Sequence, residues 1–318
     1  DIVGANRSGR GLASYAVRAL DVTDESALMD FARDADLLVN CVGPYDHDPV
    51  PIVKACIRGR CHYADLSEIP AFIERVRGAA KAFDARARGV AVIPGCSTVP
   101  GLAQLIASQW RDRAGVASVE AFLAMASRSP ASASLLTGLL QPMGRAGPDG
   151  RWYVRVRRTR ASDGRKLTGG SYPAAYPDGR IRVGANRVPF RFSIGFDRGW
   201  IGRALVFFAP LIGWLPLRSI PVLAHVLVPL ARAASWLGSA RGILVQVAQG
   251  SGGEEVARIE VEALAGGLDI PAAPVLWVTQ RLARTGALPV AGAVDLDQLV
   301  AWEDACDWLN AAGYRITT

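Results

Sequence analysis

Two hydrophobic periods alternate along the first third of the chain. Residues 37–42, Leu-Leu-Val-Asn-Cys-Val, form a short apolar run rich in β-formers and predict a fully buried strand. Gly43-Pro44-Tyr45 stops it, because proline has no ladder donor and glycine opens the turn. From Pro51 to Gly59 the period changes: Ile52, Val53, Ala55, Cys56 and Ile57 fall on or near one helical face. Cys61 to Ala64 is the next short strand, ended by Asp65. Strand, loop, helix and strand within about 30 residues make a βαβ unit. In an open α/β sheet the loop leaving a strand's carboxyl end is where ligands sit, which singles out residues 40–48.

The same alternation runs on both sides of that unit. Residues 1–6 predict a strand, 7–10 a loop and 16–21 a second strand. Thr23 or Asp24 can cap the following helix, whose stripe is Leu28, Met29, Phe31 and Ala32. Residues 69–88 predict a helix, 90–93 a buried strand, 94–101 a second loop at a strand's carboxyl end, and 102–110 a helix. Strands alternating with helices imply a parallel sheet. Near Gly115 the character changes: strands are predicted at 116–124, 152–156, 190–196, 244–248 and 256–264, and a helix at 271–285. That spacing suits an antiparallel sheet with helices on one face. Two domains follow, 1–115 and 116–318.

Residues 204–217 are almost wholly apolar, but Arg218 follows, and Pro210, Pro216, Pro221 and Pro229 interrupt the region. The run is too short and broken to span a bilayer. Buried helices or an oligomer face, with a homodimer as the partner, is the preferred account; a hairpin dipping into a membrane surface is the other.

Composition narrows the classes. A net charge of +7, from 36 basic and 29 acidic side chains in 318 residues, is a modest excess, and no basic segment interleaved with aromatics marks a nucleic-acid module. The seven cations of residues 151–166 fit a solvated surface. Five cysteines without a CxxC pair point away from a disulfide framework or a zinc site, no metal is expected, and a reducing cytoplasm fits.

Residues 39–45 (Val-Asn-Cys-Val-Gly-Pro-Tyr), 51–56 and 62–66 resemble the saccharopine dehydrogenase-like family of NAD(P)-dependent oxidoreductases, as do 20–24 and 94–101. The resemblance covers about the first 110 positions. It implies a Rossmann-like parallel sheet (α/β) followed by an α+β domain with an antiparallel sheet, hydride transfer and a small-molecule substrate. The chain departs from the pattern at Pro49, at Ser67-Glu68, and in having no GxGxxG between a first strand and first helix. Residues 1–6 match the family's second strand, so the Rossmann-like sheet is expected to lack its first βα unit here, and the chain is expected to be part of a longer product.

On that alignment Asn6, Arg7 and Ser8 close the second strand, where an acid would hold a ribose diol and an arginine accommodates a 2′-phosphate. Their chemistry favours NADP over NAD, with an exposed turn arginine as the plain alternative. Asp21 and Val22 would lie by the adenine, Cys41, Val42, Gly43 and Pro44 beneath the nicotinamide ribose, and Ser97 and Thr98 where the domains meet. By position, Tyr45, His62 and Asp65 are the candidates for orienting substrate or handling a proton. A core role for His62 and a capping role for Asp65 are the competing accounts. His47 lies in the same loop.

Overall fold

The structure is a computed structural model in which residues 20–22, 24–43, 45–128, 132–147, 150–173, 176, 178–264 and 270–318 are described. Helix α1 (Glu25–Arg33) begins where expected. The Asp24 carboxylate accepts the amides of Ser26 and Ala27 at 2.9 and 3.1 Å, a side-chain N-cap. Strand β1 (Leu37–Asn40) leads through the candidate loop to α2 (Val50–Gly59) and β2 (His62–Asp65). Helix α3 (Pro70–Ala82) ends earlier than its periodicity predicts, because Asp84 turns left-handed (φ 53°) and tucks Ala85 into the core. Strand β3 (Ala91–Ile93) and the short α4 (Ala103–Ala107) complete this region. Among the described residues β1, β2 and β3 pair in parallel, as the alternation implied.

The remaining elements are β4 (Ser118–Met125), α5 (Ala133–Leu140), β5 (Ala146–Gly147), β6 (Gly150–Arg151), β7 (Val156–Arg160), β8 (Lys166–Tyr172), β9 (Arg180–Val183), β10 (Asn186–Phe196), α6 (Gly199–Trp214), α7 (Ile220–Ala234), β11 (Ile243–Gln249), β12 (Glu255–Ala263), α8 (Ala273–Thr285), β13 (Gly292–Ala293), α9 (Trp302–Ala311) and β14 (Tyr314–Thr317). A second sheet runs β14-β12-β11-β4-β10-β8-β7, with β9 on β10. It is mixed rather than antiparallel throughout: β4 and β10 pair in parallel. The long excursion through α5 and β7 to β9 carries the chain back to start β10 at the same end as β4, as a parallel neighbour requires. Strand β13 returns to β3 and extends the first sheet in parallel.

The strand expected at 152–156 is instead a turn. Tyr153 adopts φ 62° and is fully buried, and pairing begins at Val156. The basic run then forms β7, an edge strand whose charges discourage pairing with another chain. Strand β8 was not among the expected strands, and it carries Gly169-Gly170, a pair that ordinarily weakens a strand. A Cβ at Gly169 would collide with the Ile194 carbonyl, so glycine here permits close backbone approach.

One core joins the two sheets. Ala64, Ala91 and Ile93 cluster with Val119, Ala121 and Phe192 through the buried face of α4. Gln246 clamps that helix by donating to the Ala103 carbonyl at 2.9 Å. A second cluster, including Leu28, Ile57, Phe72 and Val92, fills the space beneath α1, α2 and α3. Each such side chain contributes about 1.5–3 kcal/mol through burial. Helices α6 and α7 bury one face only: Val206, Ala209 and Ile212 point inward, while Phe207, Leu211 and Trp214 are exposed. Full burial, one of the two expectations for this stretch, does not hold.

Candidate active site

The carboxyl ends of β1, β2 and β3 bring Asn40, Asp65 and the turn after Ile93 to one edge. Asn40 is buried and organises the first loop. Its carbonyl oxygen Oδ1 accepts the Val42 amide at 3.1 Å, and its Nδ2 donates to the Tyr63 hydroxyl at 3.2 Å and approaches His47 Nε2 at 3.4 Å. Burial, helped by the Arg75 charge and opposed by Asp46, holds the His47 imidazole below its ordinary pKa.

Tyr45 takes a left-handed backbone (φ 60°) that turns its ring onto Phe72, with centroids 5.1 Å apart. Its hydroxyl donates to the Asn40 carbonyl at 3.0 Å and accepts the Leu66 amide at 3.2 Å. The hydroxyl thus clips the loop after β1 to the loop after β2. Burial pushes its pKa well up, as do nearby Cys41 and Asp65.

Asp65 does the same for the next pair of loops. Its Oδ1 accepts the Ser67 and Gly95 amides, both at 2.9 Å, while Oδ2 is buried without a well-formed bond. Burial raises the carboxyl to about 6, against the opposing pull of those two amides. Ser97 is buried in the loop so held, and the neighbouring Thr98 hydroxyl is buried without a partner among the described residues.

His62 does not join this group. It opens β2, so it lies at the amino edge of the sheet, three residues or roughly 10 Å from Asp65. Its Nδ1 accepts the Ala91 amide at 3.0 Å, and burial lowers its pKa. The competing account, a satisfied core histidine, is the one the geometry favours. Cys41, Val42 and Gly43 are exposed along the first loop, and Asp21 and Val22 precede α1, where the Asp21 carbonyl accepts the Asp24 amide at 3.0 Å. Asn6, Arg7, Ser8 and Pro44 lie outside the described residues.

Glu68 was passed over as a site residue. It follows the Asp65 turn, and the Val99 amide holds its carboxylate. Part of the side chain reaches solvent, yet its surroundings are dense enough that burial raises the carboxyl to about 7. Tyr172 of β8 feels its charge and lies beside Tyr153, whose hydroxyl is buried without a partner. A strand-end loop of the first sheet thus comes near a tyrosine brought by the second, Tyr172. The available signal was a carboxylate three positions beyond a predicted strand end; the tyrosine is about 100 residues away, and no spacing rule reaches it. The first loop has a wall as well. Gly43 is exposed, but a side chain there would meet Ser134 Oγ of α5 at 3.2 Å. A separate cleft of about 520 Å³ opens beyond β3, lined by Pro94, Arg77, Arg182 and Asp295. Its arginines are engaged by acids: Arg77 bonds Asp295, and Arg182 bonds Asp297 at 2.9 Å.

A parallel sheet with ligand-facing loops at its carboxyl edge, joined to a mixed sheet through a shared core, defines a Rossmann-type dinucleotide-binding class. Residues 8–93 match the family model described as the saccharopine dehydrogenase NADP binding domain. A probable mitochondrial saccharopine dehydrogenase-like oxidoreductase of Arabidopsis thaliana is 31% identical over 120 residues, covering 36% of this chain and 26% of the relative. A human saccharopine dehydrogenase-like oxidoreductase is 31% identical over 107 residues, 32% and 24% of the two chains. A Caenorhabditis elegans lipid droplet localized protein is 32% identical over 92 residues, 29% and 21% of the two chains. The chain thus spans about a quarter of the length of these relatives. The solved apo saccharopine dehydrogenase (L-Glu forming) of Saccharomyces cerevisiae shares the fold, with a TM-score of 0.52 at 13% identity over 94% of this chain and 88% of that one. Over residues 8–93 the chain is similar to the saccharopine dehydrogenase-like family.

Proposed function

We propose that this chain belongs to an NADP-dependent oxidoreductase acting on a small molecule held between the two sheets. The observation that supports it is an exposed, glycine-opened strand-end loop at Val42-Gly43 on the same carboxyl edge as a carboxyl group near neutrality at Glu68. The residues fit a dinucleotide: Gly43 leaves the backbone bare, and Asn40, Tyr45 and Asp65 fix the three loops around it. When bound, NADP(H) accepts or supplies the hydride. Val42 and Gly43 would support the nicotinamide ribose, and Ser97 would border the substrate. Glu68 would hold or release the accompanying proton at its carboxylate, which a pKa near 7 allows in both directions. The preference for NADP over NAD rests on Arg7 and Ser8 and on the matched family's description. An odd number of cysteines with no CxxC pair supports a reducing cytoplasm.

NADPH and NADH fluorescence titrations on the full-length gene product test this. NADPH should bind at micromolar concentration and at least tenfold tighter than NADH, and Gly43→Val should weaken it at least tenfold with the fold intact. No binding at millimolar cofactor would leave a non-catalytic protein that keeps the fold.

A further inference from the structure

We propose that the outer faces of α6 and α7, with the turn between them, dock on an anionic lipid surface. Both helices are apolar on two sides. The inner side is accounted for: α6 lies on β8 and β10, and α7 on α5. Among the described residues the outer side has no partner. Phe207, Leu211 and Trp214 recur at helical spacing on α6, and Val222, Val226 and Leu230 do so on α7. Phe207, Trp214 and Trp236 are 78%, 79% and 73% exposed. At 150–250 Å² per aromatic side chain, these three alone present roughly 400 Å². With the aliphatic stripes the patch exceeds the few hundred Å² that a monomer ordinarily leaves in water.

Charge selects the occupant. From residue 198 to 253 there is no Asp or Glu, while Arg203, Arg218, Arg232 and Arg241 are exposed and none of them makes an ion pair with a described residue. The nearest acid, Asp197, is turned inward, where its oxygens accept the Ser127 and Ser239 amides at 2.9 and 3.0 Å. A two-fold dimer would set this patch against itself and bring arginine to arginine with no acid between. Anionic headgroups would instead neutralise the arginines while acyl chains receive the apolar stripes. Neither helix crosses: no described helix is long and apolar enough to span a membrane, and α6, at 16 residues, is about 24 Å long. The tryptophans suit the headgroup boundary, where an amphipathic ring has one apolar and one wet side.

Flotation of the full chain with phosphatidylglycerol–phosphatidylcholine vesicles tests the proposal. The protein should float with these vesicles, and much less with phosphatidylcholine alone or in high salt. Trp214→Glu with Val226→Glu should abolish flotation; both positions are exposed, so the circular dichroism spectrum should not change. Neutralising three arginines (Arg203→Gln, Arg218→Gln, Arg232→Gln) should weaken binding roughly 100-fold, from about fivefold per charge. Absence of flotation with anionic vesicles overturns the proposal. So does a dimer, measured by sedimentation without lipid, that Trp214→Glu dissociates.

Discussion

Asp65 Oδ1 accepts the Gly95 amide at 2.9 Å, so the carboxylate ending one strand holds the loop that follows the next. Burying that carboxylate carries an electrostatic cost, which the bond only partly offsets. Burial raises the carboxyl from 3.8 to about 6, and the folded state binds this proton more tightly than the unfolded chain does. Its contribution to stability is therefore greatest below about pH 4 and is lost as pH rises to about 6. Asp65→Asn can keep the acceptor at Oδ1 and removes the buried charge. The variant should lose this slope and be more stable at pH 7 by up to about 3 kcal/mol. Urea unfolding at pH 4, 5, 6 and 7 measures it; an unchanged slope would count against a buried, proton-binding Asp65.

The Glu68 carboxyl should titrate near 7, as seen by carboxyl-carbon NMR on labelled protein. A midpoint between 4 and 5 would remove it as a proton carrier. In a turnover assay Glu68→Gln should lower kcat at least about 100-fold and abolish the pH limb near neutrality, with KM for NADPH little changed.

Tyr45→Phe keeps the ring on Phe72 but deletes the clip between Asn40 and Leu66. The Leu66 amide loses its partner, a cost of about 1–2 kcal/mol in denaturant unfolding. Hydrogen exchange at Leu66 should quicken with the change; unchanged exchange would mean the bond holds nothing.

Gly202 of α6 sits against the Thr168 carbonyl, and any Cβ would collide with backbone there. Gly202→Ala should lower stability by about 3 kcal/mol or more as α6 is pushed off β8. Gly138 of α5 has open space around its Cβ position, and Gly138→Ala should be neutral or stabilising by about 0.5–1 kcal/mol. Thermal unfolding of the pair separates packing from helix propensity; equal effects would refute the close approach.

Sequence and structure agree best where a single local rule suffices. Leu37 to Asp65 read as strand, helix and strand because apolar runs and 3.6-residue spacing are written within 30 positions. Asp24 read as a cap because a short carboxylate can reach the next two amides. Agreement is poorer where a residue answers to a distant partner. Gly169 and Gly170 ordinarily weaken a strand, yet they lie in β8 because Ile194 and Tyr153 press on them. Two residues, Gly292 and Ala293, add a strand to a sheet begun at Leu37, and so short a segment has no period to read. Within the candidate site, the placement of Asp65 and of the glycine-opened loop at strand ends was legible; the hydrogen bonds of the Tyr45 hydroxyl and the bond from the Ala91 amide to His62 were not.

By itself the sequence determined the alternation of elements, the parallel first sheet and the edge where a ligand belongs, because backbone pairing and burial periodicity are short-range. Tertiary structure decided what shares that edge. It turned His62 to the opposite rim, spent the Tyr45 hydroxyl on two backbone groups, and brought Tyr172 to Glu68. It also left one face of α6 and α7 in water. These outcomes depend on which surfaces meet when two sheets share a core, and that is a property of the folded chain as a whole.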